Sequence, residues 1–352
     1  MVVTSMAKVL FKWKSHGKIH GPQHPAILKR PLRERLPCCQ CWCRRAPRCY
    51  QLITTLRFRP KVLVDVSKID TATVLLGRRI SFPVGFAPTA AQMIADQVGE
   101  LGTAQAARDA GTVMIVSCLS TMSLEDIRAS APDCLLWQQT YLLSNRSLTK
   151  AIVKRAEEQN VAAIVVTVDS NADGQAASLR RKKFVLPHGL RVSCTFGICR
   201  EVVAAFPSEQ AEMGLRAYKN GASAVMVSNH GGRVLDDVPA ALDALPEVVA
   251  AVGNRMEVYM DGGVRSGADA VKALSLGARA VFIGRPIFWG LAYRGKQGVD
   301  KVLDILRSEF NLTIRLLGVP DAKNLCTNFV VREQYYSQPL HKNSAPRQPR
   351  VD

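Results

Sequence analysis

The sequence predicts an α/β fold, a parallel (β/α)8 barrel of the TIM type, from three observations. From residue 62 onward, short apolar segments of strand length alternate with amphipathic segments of helical length. The apolar segments end in glycines or polar side chains, as in barrels that place their chemistry at the carboxyl ends of the strands. No G-x-G-x-x-G motif follows the first strand, which argues against an open sheet that binds a nicotinamide dinucleotide.

Each element follows from this alternation. The apolar runs predict strands at 84–87, 113–117, 135–141, 162–169, 222–228, 258–261 and 280–284. The amphipathic runs predict helices at 99–110, 123–131, 148–158, 209–219, 240–252 and 267–276. Ser123 and Asp126 resemble a capping box at the start of the second helix. Strands that alternate with helices require right-handed crossovers and therefore a parallel sheet.

Composition indicates a globular protein, because 47% of the 352 residues are hydrophobic and 22% are charged. No apolar run approaches the roughly 20 residues that span a bilayer. The net charge of +18 is concentrated at one end: residues 1–61 contain 14 Lys and Arg and one acid, which leaves only +5 for the rest. This uneven distribution argues against a nucleic-acid-binding body. The basic segment is open to three interpretations, a disordered tail, a targeting segment or a contact for a polyanion, and its prolines favour the tail.

Five of the ten cysteines fall between residues 38 and 49, but none of these pairs has the two-residue gap of a zinc knuckle. The sequence therefore predicts no metal site, and the scattered cysteines elsewhere fit a reducing compartment. We predict three regions: a basic, cysteine-rich and poorly ordered arm at 1–56, a barrel at 57–335 and a C-terminal tail at 336–352.

Two strand ends carry the strongest chemical signals. The segment SNHGGR follows the strand at 222–228 and presents His230, a proton acceptor near neutral pH, close to Arg233, whose guanidinium can bind a carboxylate. The alternative is a turn with a solvated His and Arg. The last two strands end in DGGVR and GRP, which place glycine N–H groups and two arginines where barrels commonly bind a phosphate.

Four segments together resemble one family. They are FRPKVLVDVS, APTAAQ, SNHGGRVLD and DGGVRSGADAVKALSLGARAVFIGRP, and the match runs from about Arg57 to about Gly318. The sequence resembles the FMN-dependent 2-hydroxy acid oxidases and dehydrogenases, the family of glycolate oxidase. The resemblance implies a barrel with FMN at its mouth that oxidises an (S)-2-hydroxy acid to a 2-oxo acid, with oxygen as acceptor and hydrogen peroxide as product.

The resemblance also implies a role for each site residue. His230 is the base, Asp169 stabilises its protonated form, and Arg233 and Tyr141 bind the substrate carboxylate. The residues implied to contact FMN are Ala87, Pro88, Thr89, Ala90, Ser117, Gln139, Thr167, Ser228, Asp261, Gly262, Gly263, Arg265, Gly284 and Arg285. The reaction needs a proton acceptor, a cation for the carboxylate and an electron sink, and no side chain supplies the last.

The sequence departs from the family pattern in the middle and at both ends. About forty residues that the family has between Phe184 and Ser228 are absent, and with them a lysine that lies against the flavin at the end of strand five. Strand five is therefore predicted to be degraded or missing, with 202–206 as its best remaining candidate. Ala176 stands where the family has a substrate-binding arginine, and an N-terminal tyrosine has no counterpart. An alternative is therefore a catalytically impaired or inactive member that binds FMN.

The expected partners are a small 2-hydroxy acid and oxygen, with no nucleic acid and no membrane. By resemblance the chain would form a homo-oligomer, in this family a tetramer. The resemblance also implies a peroxisomal location, whereas the chain's last residues are not a peroxisomal tripeptide. A cytoplasmic location is the alternative.

Overall fold

The computed structural model describes residues 2–4, 55–143, 145–169, 210–235 and 238–337. Its centre is a closed barrel of eight strands, in which every pair of neighbouring strands is parallel. The predicted (β/α)8 fold is therefore confirmed. In order around the barrel, the strands are β5 (Val84–Phe86), β6 (Val113–Val116), β7 (Leu135–Tyr141), β8 (Ala163–Thr167), β1 (Val2–Thr4), β9 (Ala224–Val227), β10 (Glu257–Asp261) and β11 (Ala280–Ile283).

The fifth position around the barrel, between β8 and β9, is filled by the N-terminal strand β1. Val2 aligns with Val165 of β8 and with Ala224 of β9, so both neighbours pair with this strand. The predicted loss of a strand from the barrel is not confirmed. Residues 202–206, the sequence candidate for this position, lie outside the described residues. The boundaries of the predicted arm and tail remain predictions.

We expect that Val3→Pro weakens the barrel. Val3 aligns with Val166 on one side and Val225 on the other, and a proline in a strand with two neighbours cannot donate its ladder hydrogen bond. The loss should reduce the free energy of unfolding by about 1 to 3 kcal/mol and expose two strand edges that promote aggregation. Thermal unfolding and light scattering measure both effects. Val3→Ala, which keeps the N–H group, is the control, and equal melting temperatures for the two variants would contradict the pairing.

Helices connect the strands and cover the outside of the barrel. They are α1 (Gly99–Asp109), α2 (Leu124–Ser130), α3 (Arg146–Glu158), α4 (Gln210–Lys219), α5 (Ala241–Val252), α6 (Gly267–Ser275), α7 (Arg285–Leu316) and α8 (Gln334–Ser337). The first six agree with the sequence prediction to within two residues. The Ser123 hydroxyl caps α2 by accepting a hydrogen bond from the Asp126 N–H at 3.1 Å, as predicted. The sequence pattern did not predict α7, whose backbone is non-helical at Arg294 and Gly295.

Two small antiparallel sheets were also missed. One pairs β2 (Leu56–Phe58) with β12 (Val330–Arg332), and the other is the hairpin of β3 (Thr73–Leu75) and β4 (Arg78–Ile80). Leu75 and Ile80 of the hairpin are buried in the same cluster as the inward-facing residues of the barrel. The Leu76 N–H donates to Glu257 Oε1 at 3.2 Å, and Glu257 is the first residue of β10, so the hairpin lies at the amino end of the barrel.

The barrel interior is filled by side chains. Trp137, Tyr259 and Phe282 are fully buried there, and their ring centroids are 5.6 to 5.7 Å apart. An interior packed in this way has no room for a ligand, so a binding site has to lie at the carboxyl ends of the strands. Among the described residues, no helix has the length and hydropathy needed to cross a membrane.

Candidate active site

A buried histidine and a buried carboxylate meet at the mouth of the barrel. Asp169 follows β8 and His230 follows β9, and the two strands are separated by β1 alone. His230 Nδ1 lies 3.1 Å from Asp169 Oδ2, and the two side chains are only 2% and 6% exposed. This pairing fixes the imidazole ring and assigns Nδ1 to Asp169, so Nε2 is the nitrogen that can take a proton from a substrate.

The backbone at His230 is held in an uncommon conformation. His230 has a φ of 60°, and Gly231 and Gly232 continue the left-handed turn at 64° and 73°. The His230 N–H donates to Ser228 Oγ at 3.0 Å, and the Gly232 N–H donates to the Asn229 carbonyl at 2.9 Å. A non-glycine residue at positive φ stores strain that surrounding contacts must offset, and such residues cluster at functional sites.

The electrostatic environment of His230 combines opposing effects. Burial lowers its pKa most, while the negative charge and hydrogen bond of Asp169 raise it, and the positive charges of Arg233 and Arg285 lower it. The net result is a pKa below the usual value. His230 is therefore neutral near pH 7, which is the form that a base needs.

Tyr141 and Arg233 lie close to this pair, as expected for a site that binds an anion. Burial raises the pKa of Tyr141 well above its usual value, with Cys118 and Asp169 raising it further and Arg233 opposing them. Tyr141 is therefore a neutral hydrogen-bond donor throughout the physiological range. Arg233 influences the pKa values of both His230 and Tyr141, so its guanidinium is within electrostatic range of both.

Asp261, at the end of β10, is buried and accepts a hydrogen bond from Ser228. Burial raises its pKa to about 7, and the charge of Asp169 adds to this, while Ser228, Arg233 and Arg285 oppose it. Its Oδ1 atom is buried and has no hydrogen-bond partner among the described residues. A buried acceptor without a partner is costly unless a ligand supplies a donor.

The two arginines of the predicted phosphate cradle have different surroundings. Arg285 is the first residue of α7, and its Nη2 donates to the Gly231 carbonyl at 2.5 Å. It therefore reaches the loop that carries His230. The guanidinium of Arg265 instead donates to the Val264 carbonyl at 2.8 Å and lies 5.2 Å from the ring of Trp289.

Glycines precede both of these arginines in the sequence. Gly262 and Gly263 have φ values of 88° and 85°, which favour glycine and let backbone approach a ligand closely. Gly284 precedes α7, and a Cβ placed on it would lie 3.6 Å from Thr89 Oγ1 and 3.9 Å from Ala87 Cβ. The ends of β11 and β5 are therefore adjacent.

The remaining predicted residues lie at the ends of β5 to β8. Gln139 Nε2 donates to Thr167 Oγ1 at 3.0 Å, and Gln139 Oε1 accepts from the Cys118 N–H at 3.1 Å. Ser117 Oγ accepts from the Leu119 N–H at 3.1 Å. In the loop after β5, Pro88 is buried, Thr89 is half-buried and Ala90 is exposed.

These residues fit FMN. The unpartnered Oδ1 of Asp261 can accept a hydrogen bond from a ribityl hydroxyl. The glycine N–H groups and the N-terminus of α7 can bind a phosphate. The amide and hydroxyls of Gln139, Thr167 and Ser117 offer polar partners for a flavin ring. Among the described residues, no three His, Cys, Asp or Glu side chains are grouped closely enough to hold a metal ion.

Several residues that shape the site were not predicted from the sequence. Asn229 Nδ2 donates to the Pro239 carbonyl at 3.2 Å and so fixes the turn before His230. Cys118 is buried near Tyr141, and Trp289 lies under Arg265. Asn229 could have been found in the sequence, because asparagine and glycine are both typical of turns and N-H-G-G holds them within four residues. Trp289 gave no such signal. The predicted difference at Ala176 lies outside the described residues.

Comparison with known proteins identifies the family of the chain. The family model described as FMN-dependent dehydrogenase matches residues 48–210 and 208–332, and the two pieces meet within the interval where the sequence analysis places missing residues. L-lactate oxidase of Nostoc sp. is 39% identical over 315 residues, which cover 78% of this chain and 86% of that protein. 2-Hydroxyacid oxidase 1 of Mus musculus is 38% identical over 312 residues, covering 78% and 84%.

The peroxisomal (S)-2-hydroxyacid oxidase of Arabidopsis thaliana is 40% identical over 316 residues, covering 80% of this chain and 87% of that protein. Among solved structures, a mandelate oxidase variant with (S)-mandelic acid has a TM-score of 0.75 and 33% identity, covering 81% of this chain and 88% of that one. The family match, the relatives and the barrel agree. The chain belongs to the FMN-dependent dehydrogenase family, and its cofactor is FMN.

Proposed function

We propose that the protein oxidises an (S)-2-hydroxy acid to the corresponding 2-oxo acid with FMN as cofactor, and that oxygen accepts the electrons to give hydrogen peroxide. One observation carries this proposal: a buried, neutral His230 is fixed by Asp169 within electrostatic range of Arg233. The arrangement supplies a base next to a cation that can bind a carboxylate. Relatives named as 2-hydroxyacid and lactate oxidases support the substrate class.

Each residue has a distinct role in this reaction. Arg233 binds the substrate carboxylate through paired charge-assisted hydrogen bonds, and the Tyr141 hydroxyl donates to the same group. This places the hydroxyl-bearing carbon beside His230 Nε2, which takes one proton from the substrate. The negative charge of Asp169 stabilises the imidazolium that results.

FMN, when bound, would supply the acceptor for the two electrons and the second proton that leave the substrate. Asp261 would hold the ribityl chain, and Arg285 and the glycines at 262 and 263 would hold the phosphate end. Gln139 and Thr167 would bond the polar edge of the ring. Burial of His230, Asp169 and Tyr141 excludes water from their surroundings, which strengthens the electrostatic contacts among them.

An absorption spectrum tests the proposal directly. The purified protein with FMN is titrated without oxygen with glycolate, lactate and a long-chain 2-hydroxy acid. We expect the flavin absorption to bleach and, when oxygen is admitted, to return with formation of peroxide. If FMN binds but no 2-hydroxy acid bleaches it, the chain is an impaired member of the family and the proposed activity is wrong.

We expect that Asp169→Asn lowers kcat/KM about ten- to a hundredfold. Asparagine can still accept the Nδ1 hydrogen, but it removes the charge that raises the pKa of His230. The base becomes weaker, and the acid limb of the pH profile, where His230 loses its proton, moves to lower pH. Steady-state rates over a pH series measure both effects.

Asp300→Asn is the control for this prediction, because Asp300 pairs with Lys296 on α7 and is partly exposed. We expect this control to keep the wild-type pH profile. An unchanged acid limb in Asp169→Asn would exclude Asp169 as the partner of the base.

We also propose that the protein forms a homotetramer and acts in peroxisomes, with the cytoplasm as the alternative location. The peroxisomal relative from Arabidopsis supports the location. Light scattering of the purified protein and fractionation of the source cells test these two proposals. A monomeric mass or a signal confined to the cytosol would contradict them.

A further inference from the structure

A buried carboxylate outside the site connects two of its loops. Glu100 lies in the first turn of α1 and is fully buried. Its Oε1 accepts hydrogen bonds from the Gln92 N–H at 3.1 Å and from the Thr121 N–H at 2.8 Å. Its Oε2 accepts from the Thr121 hydroxyl at 2.6 Å. Gln92 belongs to the loop after β5 and Thr121 to the loop after β6, so one side chain joins both loops.

The same two loops have further links to one another. Thr121 Oγ1 accepts from the Met93 N–H at 3.2 Å, and the Ala91 N–H donates to the Leu119 carbonyl at 3.2 Å. Ala91 has a φ of 54°, a strained conformation for alanine that these contacts must maintain. The bonds of Glu100 are therefore part of a network that fixes the relative position of the loops.

The network continues from Gln92 toward the residues that face the flavin. Gln92 Oε1 accepts from the Thr103 hydroxyl at 2.5 Å, and Gln92 Nε2 donates to the Thr89 carbonyl at 3.2 Å. Thr89 belongs to the segment at 87–90 that is implied to pack on FMN. On the other loop, Ser117 and Cys118 lie a few residues before Thr121. Glu100 is therefore connected to the flavin-facing part of each loop. In the loop after β5 the connection runs through Gln92, and in the loop after β6 it runs through the short stretch of backbone before Thr121.

Full burial of the Glu100 carboxylate costs desolvation free energy. No described arginine, lysine or histidine forms a salt bridge with Glu100, so three hydrogen bonds and the N-terminus of α1 stabilise its charge. An apolar residue would avoid the desolvation cost but could not accept two N–H groups. The three hydrogen bonds therefore fix the loops in one relative position, which apolar packing would not do.

We propose that Glu100 is a positioning residue for the flavin site: it sets the distance between the loops after β5 and β6 and thereby the width of the slot that receives the isoalloxazine ring. The inference rests on FMN binding at the barrel mouth, as in the proposed function, but does not require that the enzyme turns over. Glu100 itself does not touch the cofactor.

The test measures FMN binding rather than activity. Glu100→Gln keeps the size of the side chain and one carbonyl oxygen, but removes the charge and places an amide donor against the Thr121 hydroxyl. FMN is titrated into the apoprotein and followed by flavin fluorescence, and the circular dichroism of the bound flavin is recorded. We expect about ten- to a hundredfold weaker binding and a changed flavin dichroism.

Two further variants make the result specific. Thr121→Val keeps both N–H bonds to Glu100 and loses the two hydroxyl bonds, the one donated to Oε2 and the one accepted from the Met93 N–H. We expect the same direction of change, with a smaller loss of FMN affinity. Should Glu100→Gln fail to fold, this variant decides the outcome. Glu125→Gln is the control, because Glu125 lies in the first turn of α2, is half-exposed and pairs with Arg155. We expect wild-type binding from it.

Each result is informative. If Glu100→Gln or Thr121→Val lowers the melting temperature of the apoprotein but leaves FMN affinity and dichroism at wild-type values, Glu100 is only structural and the inference is wrong. If the wild-type protein binds no FMN, the inference falls together with the proposed function. If the wild-type protein binds FMN that no 2-hydroxy acid bleaches, the proposed function fails alone, and the Glu100 comparison still decides the inference.

Discussion

Replacing His230 with glutamine is expected to lower kcat by about a hundred- to ten-thousandfold while FMN stays bound. Glutamine is similar in size and can form a hydrogen bond, but it cannot accept a proton near neutral pH. His230 Nδ1 is 3.1 Å from Asp169 Oδ2 and both side chains are buried, so bulk water cannot replace His230 as the base. The rate of anaerobic flavin bleaching after substrate is added measures the effect on the chemical step.

The binding of substrate and cofactor separates this effect from a general disruption. His230→Gln should keep wild-type FMN affinity, and its KM should change much less than kcat because Arg233 remains. His341→Gln changes a histidine of the predicted C-terminal tail, and we expect no effect from it. A His230→Gln variant with wild-type bleaching rate would show that another group removes the proton and would overturn the mechanism.

The sequence predicted the barrel and the chemistry because both leave local signals. Buried parallel strands are short apolar runs, and β7 spans Leu135–Tyr141 in both the prediction and the structure. The polar ends of these strands meet at one face of any such barrel, which brought His230 and Asp169 together without a local signal for the contact. The 3.1 Å distance between His230 Nδ1 and Asp169 Oδ2 is therefore a result of the barrel topology.

The parts that were missed depend on contacts that are distant in sequence. Val2–Thr4 is too short to show a periodic pattern and lies in a basic segment, yet it pairs with β8 and β9, which lie more than 150 residues along the chain. Glu100 showed only an acid at the start of a predicted helix, a common feature. Its function became visible only when the loops at Gln92 and Thr121 were seen on either side of it.

Replacing Arg233 with methionine is expected to lower kcat/KM by about thirty- to several-thousandfold, mainly through KM, because removal of one partner of a buried charged pair costs about 2 to 5 kcal/mol. Methionine approximates the length of the arginine stem but cannot bind the carboxylate through paired hydrogen bonds. Arg233→Lys keeps the positive charge but loses the planar guanidinium that binds both carboxylate oxygens. It should therefore recover only part of the affinity for the substrate. Substrate titrations of the rate measure KM and kcat separately.

The pH profile gives this prediction a signature that simple misfolding would not produce. The charge of Arg233 lowers the pKa of His230, so Arg233→Met should raise that pKa and move the acid limb of kcat/KM to higher pH. Asp169→Asn should move the same limb to lower pH, because Asp169 raises the pKa. Arg233→Lys, which keeps the charge, should leave the limb near its wild-type position. Shifts of the same sign in Arg233→Met and Asp169→Asn would mean that the titrating group is not an imidazole placed between these two charges.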